Sequence, residues 1–226
     1  MNRVNFNSEE EVKEYLHNLE TEYNYQCHRE KTGEGCYRLG EFYASIKGDF
    51  EKATSAYNLS CTKYNHVVAC NKLGALHLYG RGVTKDRKKA VEYFTKSCDG
   101  GYMTGCYGAG VALSGGETRD VPKAVECLKK ACDSDHQESC YQLGSIYLQG
   151  LDTVQKDMRK AFQFTLKSCK LDHVYGCANV SRMYKLGDGT AKNEKLSQEY
   201  KEKAKDLQRQ AKEKSAQMKF GETGGK

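Results

Sequence analysis

Apolar residues recur at helical spacing in segments that each follow an aspartate. In the segment from Lys89 to Cys98, for example, the apolar Val91 and Phe94 are three residues apart. An aspartate just before such a segment can accept hydrogen bonds from the first backbone N–H groups of a helix. Pro122 lies in the first turn of one segment, where its missing N–H costs little. We therefore predict a helix after each copy of Asp-x-x-Lys-Ala, which begins at Asp49, Asp86, Asp120 and Asp157.

A second kind of segment precedes each of these helices and pairs an apolar residue with a small one. A glycine or serine at this point allows a neighbouring helix to approach closely, so we predict a first helix here, starting at a nearby cysteine. Loops that contain glycines, such as Gly80 and Gly82, then turn the chain into the second helix. The small-residue pairs are Leu39-Gly40, Leu73-Gly74, Ala109-Gly110, Leu143-Gly144 and Val180-Ser181.

Ten of the eleven cysteines form five pairs that keep the same repeat. Successive first cysteines are 34, 37, 34 and 37 residues apart, as expected for a structural repeat and not for a metal cluster. Each predicted disulfide joins the end of one helix to the start of the next, across a short turn. Cys127 is the remaining thiol, which we interpret as a small core residue; a reactive thiol is the alternative. The predicted disulfides are Cys27–Cys36, Cys61–Cys70, Cys98–Cys106, Cys132–Cys140 and Cys169–Cys177.

The two ends of the chain are predicted to be capping helices. Ser8 followed by three glutamates opens a helix that reaches about Glu22, because acidic residues in the first turn suit the helix dipole. Residues 193–219 form a long charged helix that closes the last repeat, and residues 220–226 a disordered tail.

The repeated motif resembles the Sel-1-like repeat family, most clearly in the segment from Leu73 to Ala90. The resemblance implies an all-α, right-handed solenoid of five helix-pair repeats, each joined to its neighbour by a disulfide, with capping helices. Residues 1–35 are then the N-terminal capping helix with the first cysteine of the first pair. The repeats occupy 36–192, with boundaries at 36–69, 70–105, 106–139, 140–176 and from 177 onward.

Within that family, the cysteine pairing, the acidic first helix and the segment from Cys177 to Gly189 resemble assembly factors for mitochondrial cytochrome c oxidase. The resemblance implies oxidase subunits or copper-delivery factors as partners and oxidative import machinery. It also implies noncovalent haem binding. One or two axial ligands would come from His, Met or Cys. Spacing does not choose among the candidates, which are His28, His66, His77, His136, His173 and Met183.

Composition excludes several other classes of protein. The mean hydropathy of -0.80 and the 29 % of charged residues leave no run apolar enough for a membrane span. The net charge is +6, but the C-terminal segment interleaves lysine with glutamate, unlike a nucleic-acid surface. No Cys-x-x-Cys or His-Glu-x-x-His motif indicates a metal site or a catalytic site. We expect a monomer that binds neither metal nor nucleic acid.

The predicted disulfides also indicate the cellular compartment in which the protein folds. Five disulfides would be reduced in the cytosol, yet the N-terminal segment has no apolar signal core. Residues 1–26 hold six glutamates against Arg3 and Lys13, unlike a matrix transit peptide. An oxidising compartment that needs neither signal is the mitochondrial intermembrane space, which we predict.

There the chain would bind client subunits on a concave face lined by first helices. The alternatives are a thiol-disulfide oxidoreductase acting on copper-chaperone cysteines and a generic scaffold.

Overall fold

The computed structural model describes the backbone of residues 5–223 and the side chains of residues 5–216. The regular elements in this range are helices. They are α1 Glu9–His28, α2 Gly33–Phe42, α3 Phe50–Tyr64, α4 Val67–Tyr79, α5 Arg87–Asp99, α6 Met103–Leu113, α7 Val121–Asp133, α8 Gln137–Gln149, α9 Met158–Lys170, α10 Val174–Leu186 and α11 Glu194–Thr223. A π-helical turn, Tyr43–Lys47, follows α2, and a 3-10 turn, Gly116–Thr118, follows α6. None of the helices described is both long and apolar enough to cross a membrane.

The helices belong to two compact units, one ending at Ala112 and one beginning at Leu113. Consecutive helices pack together from α1 to α5 in the first unit and from α7 to α11 in the second. In the first unit Tyr57 and Leu73 belong to a buried cluster between α3 and α4. In the second, Val180 and Ala204 are buried where α10 meets α11. Each unit therefore buries its apolar residues between successive helices, as repeat proteins do.

The predicted aspartate caps are confirmed. Each carboxylate accepts a hydrogen bond from the backbone N–H three residues later, at 2.9 to 3.1 Å. These bonds lower the pKa of Asp49, Asp86 and Asp157, because they favour the ionised carboxylate. Pro122 is the second residue of α7, where a backbone N–H would have no partner within the helix.

The first helices begin three residues earlier than predicted. The prediction placed each start at the second cysteine, whereas α4, α8 and α10 begin at Val67, Gln137 and Val174. The residue before each start caps the helix by accepting a hydrogen bond from the N–H just ahead of the cysteine. The second cysteine of each pair consequently lies in the first helical turn.

The structure joins the same five cysteine pairs that the repeat spacing indicates. Their Cα atoms are 4.4 to 4.8 Å apart, a separation that a disulfide can bridge. Each disulfide connects the C-terminal end of one helix with the first turn of the next. A covalent bond therefore links the two helices on either side of each turn between repeats.

The small residues of the first helices allow the close contact that the sequence predicts. A Cβ atom added to Gly40 would lie 2.5 Å from the ring of Tyr57, and one at Gly74 would lie 2.9 Å from the ring of Phe94. Nonbonded carbon atoms in proteins do not approach each other so closely. In these two repeats an aromatic ring of the second helix thus packs directly against the backbone of the first helix.

Loop glycines fix the position of one repeat on the preceding one. Gly82 has φ of +64° and Gly189 has φ of +69°, a region that favours glycine. A Cβ atom at Gly82 would collide with the backbone of Phe50, and one at Gly189 with the backbone of Met158. Both neighbours are the first residues of second helices. Glycine is needed here both for the turn and for the close approach.

Lysines of the second unit connect successive second helices. Lys167 of α9 donates to the carbonyl of Cys132 at 2.7 Å and pairs with Asp135 at 2.9 Å. Lys203 of α11 makes the equivalent contacts with the carbonyl of Cys169, at 3.1 Å, and with Asp172. Each lysine thus satisfies a carbonyl at the C-terminal end of the preceding second helix.

Both capping helices are longer than predicted. Ser8 caps α1 by accepting from the N–H of Glu11 at 3.3 Å. This helix continues past Glu22 to His28, because Tyr23 packs on Phe42 and Cys27 is bonded to α2. At the other end α11 reaches Thr223, so it includes the first part of the predicted tail; residues 224–226 of that tail lie outside the described residues.

Candidate functional site

The ten disulfide-bonded cysteines are buried. Cys98 is 3 % exposed and the other nine are fully covered. Thiol-disulfide exchange requires a thiolate to reach a disulfide sulfur, and exposed disulfides are the labile ones. An exchange reaction in this fold would therefore require helices to separate first. Burial of this degree is typical of structural disulfides.

Cys127 lies on α7 outside the five disulfides and is half-buried. The repeat pattern predicts a small core residue here, and the side chain is partly covered. The neighbouring positions Ala124 and Leu128 are both fully buried and face the core instead.

Three candidate histidines are N-caps of first helices. The Nδ1 atoms of His66, His136 and His173 accept hydrogen bonds from the N–H groups of Ala69, Ser139 and Gly176, at 3.2, 3.3 and 3.1 Å. Accepting at Nδ1 requires an unprotonated nitrogen there, so each neutral ring carries its proton on Nε2. Thr32 fills the same role for α2. The sequence offers these histidines as haem-ligand candidates, whereas the structure shows them as helix caps.

The capping histidines also connect neighbouring first helices. His66 stacks on Tyr37 of α2 with ring centroids 4.8 Å apart, and His173 packs on Tyr141 of α8 at 4.5 Å. The Nε2 atom of His66 lies 3.1 Å from a carboxylate oxygen of Glu34. Burial lowers the pKa of His173, as it does that of His136, which favours the neutral ring that the cap requires.

The other haem-ligand candidates are dispersed. His77 is 6 % exposed and stacks on Tyr93 at 5.4 Å, and its burial lowers its pKa. Met183 is 1 % exposed in the core of α10. His28 is exposed at the end of α1, beside a small cavity of about 170 Å³. Within each unit these candidates therefore have separate surroundings and do not line one cavity.

A haem site requires a ligand on the wall of a pocket that can enclose the ring, and ligand pockets usually measure about 300 to 1,000 Å³. The cavities of that size described in the second unit, of about 710, 570 and 520 Å³, have none of the six candidates on their walls. These three cavities therefore do not place a haem beside any of the six candidates, although single ligand atoms such as Nε2 of His173 are available elsewhere. A cluster of three or more His, Cys, Asp or Glu side chains that could hold a metal is likewise absent from the described part of the chain.

A half-open groove of about 710 Å³ lies between α10 and α11. We call it the C-terminal groove. Val174, Ala178, Ala204 and Ala211 give it an apolar lining. Tyr175 also borders it and is 68 % exposed. An apolar cleft of this size with an exposed tyrosine is typical of a binding surface.

The walls of the C-terminal groove are held together by direct contacts. The hydroxyl of Ser181 donates to the carbonyl of Ser197 at 2.7 Å. Farther along, the rings of Tyr184 and Tyr200 stack with centroids 5.7 Å apart. Both contacts join α10 to α11, so the groove is a preformed feature of the second unit.

Basic side chains line the C-terminal groove. They are Arg182 and Lys185 on α10 and Lys201 and Lys205 on α11, against one acidic residue, Glu194. Within the part of the chain that the structure describes, Lys205 pairs with Glu202 at 2.9 Å, whereas the other three form no salt bridge. The charge pattern of the sequence does not single out these residues, because Lys201 and Lys205 belong to a terminal segment in which lysine alternates with glutamate.

Comparison with known proteins identifies the repeats. The Sel1 repeat model matches residues 33–61, 67–102, 104–136, 137–173 and 174–208. A Sel1 repeat protein from Oxalobacter formigenes has a TM-score of 0.70 at 21 % identity, covering 85 % of this chain and 83 % of that one. A protective antigen of uropathogenic Escherichia coli strains with an SLR fold has a TM-score of 0.75 at 25 % identity, covering 81 % of this chain and 40 % of that one.

Two curated relatives resemble the chain over nearly its whole length. Cytochrome c oxidase assembly factor 7 of Xenopus tropicalis is 44 % identical, and cytochrome c oxidase assembly factor 7A of Xenopus laevis is 43 % identical. Each alignment covers 97 % of this chain and 98 % of the relative. The chain is therefore a member of the Sel1 repeat family and, within it, belongs to the family of cytochrome c oxidase assembly factor 7.

Proposed function

We propose that this protein is an assembly factor for cytochrome c oxidase that works in the mitochondrial intermembrane space by binding client proteins. The names of its relatives supply the process. The observation that carries the mechanism is the combination of buried disulfides with an open, preformed groove. The clients would be oxidase subunits or copper-delivery factors.

Burial favours binding over thiol exchange as the activity. A disulfide oxidoreductase needs at least one sulfur that a client thiolate can reach, with a reduction potential near that of its compartment. The disulfides here are covered by neighbouring helices. The protein therefore has a surface suited to holding a client, whereas its cysteines stabilise that surface.

The proposed compartment follows from the disulfides. Five buried bonds between helix ends are consistent with folding in an oxidising environment. A mitochondrial protein that acts on cytochrome c oxidase meets such conditions in the intermembrane space. Trapping by oxidation after import would retain the folded chain there.

Deletion and rescue in cultured cells test the proposal. Loss of the protein should lower assembled cytochrome c oxidase on native gels, and the wild-type chain should restore it. After fractionation, the ten paired cysteines should resist alkylation, and the protein should become protease-sensitive when the outer membrane is opened. Unchanged oxidase levels after deletion would contradict the proposed process. Alkylation of all cysteines without a reductant would contradict the compartment.

A further inference from the structure

The C-terminal groove corresponds to a position that is occupied in the preceding repeat. The sequences of α9 and α11 can be aligned on their caps, Asp157 and Asn193. Each cap side chain accepts a hydrogen bond from the backbone N–H three residues later. In this alignment Lys203 corresponds to Lys167, and the two lysines make the same contacts with the preceding helix. The positions of α9 and α11 can therefore be compared one by one.

In the preceding repeat, α10 packs on this surface of α9. The Cα of Gly176 approaches Ser168 and Cys169 so closely that a Cβ atom would lie 2.7 Å from the Ser168 hydroxyl. The aromatic ring of Tyr141 on α8 packs on the other side, against His173 and Tyr175 of α10. A first helix thus lies in the angle between the preceding first and second helices.

The same surface of the last repeat is open in the described part of the chain. Ala204 and Lys205 of α11 correspond to Ser168 and Cys169 of α9, so a lysine stands where the disulfide to the next helix would form. Ala178 of α10 corresponds to Tyr141 of α8. All three residues line the C-terminal groove. Because α11 continues to Thr223 without turning here, none of the described residues fills the position of a sixth first helix.

We propose that the C-terminal groove binds one amphipathic helix of a partner protein, in the position of that sixth first helix. The first helices of the second unit, α8 and α10, are each 13 residues long, which sets the expected length of the bound segment. Its apolar face packs on Ala178 and Ala204, as in other helix-in-groove complexes. That this partner is an assembly client rests on the proposed function.

The charge of the groove specifies the flanks of the bound helix. Arg182, Lys185 and Lys201 have no acidic partner among the described residues, and they border the apolar lining. Glutamate or aspartate on both sides of the apolar stripe would pair with them. Electrostatic complementarity of this kind selects the partner and fixes its orientation. A helix with basic flanks would be repelled.

Binding of a model peptide tests the proposal. The probe is a fluorescein-labelled amphipathic helix of about four turns with leucines at i, i+3, i+4 and i+7 and glutamates on both flanks. We expect saturable binding by fluorescence anisotropy that weakens as salt increases. The variant R182E/K185E/K201E should lose at least about tenfold in affinity, and Tyr175→Ala should weaken binding without a change in charge. A counterpart peptide with lysine flanks should bind only the charge-reversed variant.

A matched control carries three charge reversals on the exposed first turns of second helices, at Lys88, Lys123 and Arg159. It should bind the acidic peptide like the wild type, and circular dichroism should show that both triple variants are folded. Equal loss of affinity in both variants, or equal binding of both peptides, would overturn the proposal. So would a dimer seen by light scattering that only the groove variant abolishes, because a second copy would then fill the groove.

Rescue of the deleted cell line separates this inference from the proposed function. The control variant should restore cytochrome c oxidase, whereas the groove variant should not. Full rescue by the groove variant would overturn the groove as the client site and leave the assembly role intact. If even the wild type fails to rescue, the assembly role falls, while the peptide measurements still decide whether the groove binds an acidic helix.

Discussion

Removal of the disulfide between α9 and α10 should destabilise the second unit strongly. The change is Cys169→Ala with Cys177→Ala. Both cysteines are fully buried in a cluster with Val180 and Ala204, and their Cα atoms are 4.5 Å apart. The bond closes a loop of about nine residues, which in the chain-entropy model contributes about 2.5 kcal/mol. The two lost sulfur atoms add about 0.8 kcal/mol each in buried apolar surface.

The expected loss is therefore about 4 kcal/mol in the free energy of unfolding, obtained as the sum of these contributions. Urea denaturation of the oxidised protein, followed by far-ultraviolet circular dichroism, measures it as a lower midpoint. The slope should rise slightly, because the unfolded chain without the bond exposes more surface. The matched control is Cys127→Ala, which removes one half-buried sulfur outside the disulfides and should cost less than about 1 kcal/mol. A double variant that unfolds at the same urea concentration as this control would refute the reasoning.

Four further measurements test the pairing, the caps, the helix contact and haem. Nonreducing peptide mapping should recover the five local disulfides and alkylate Cys127 alone; any bond between other cysteines would contradict the repeat model. Burial lowers the pKa of His136 and His173, so the unfolded chain binds more protons and stability should fall as pH drops below about 6.5. Replacing both by Asn, which caps without titrating, should flatten that pH profile in thermal melts, whereas substitution of the exposed His17 should not. Gly74→Ala should cost about 1 to 3 kcal/mol in urea denaturation through overpacking against the second helix; a gain in stability would contradict the close contact. The family resemblance still predicts a saturable Soret shift on haem addition, and His173→Ala should remove it, because Nε2 of this histidine has no hydrogen-bond partner among the described residues; an unaltered spectrum would exclude this ligand.

The caps, the helix-contact glycines and the disulfides of the repeat could be predicted from the sequence. An aspartate cap and two cysteines across a short turn each act within about ten residues, so their spacing identifies them directly. The glycine contacts span 17 to 20 positions, from Gly40 to Tyr57 and from Gly74 to Phe94, and are predicted because the motif repeats. This is why the four second helices begin where Asp49, Asp86, Asp120 and Asp157 place them. The five cysteine pairs follow for the same reason, because their partners are only eight or nine positions apart.

The histidine caps required the structure. A histidine can be a ligand, a packing residue or a cap, and its residue type does not distinguish these roles. The role of His66 depends on the orientation of its ring, which directs Nδ1 to the N–H of Ala69 while the opposite nitrogen meets Glu34 of another helix. For that reason α4, α8 and α10 begin three residues before the predicted start.

The C-terminal groove was decided by tertiary structure alone. Arg182 and Lys185 belong to the last repeat, whereas Lys201 belongs to the charged C-terminal segment, and the charge pattern does not relate the two segments. These side chains lie together because α10 and α11 pack side by side, and they remain accessible because α11 continues where α9 turns. Sequence periodicity reports which face of a helix is apolar. Whether a neighbouring helix covers that face depends on the packing of segments distant in sequence.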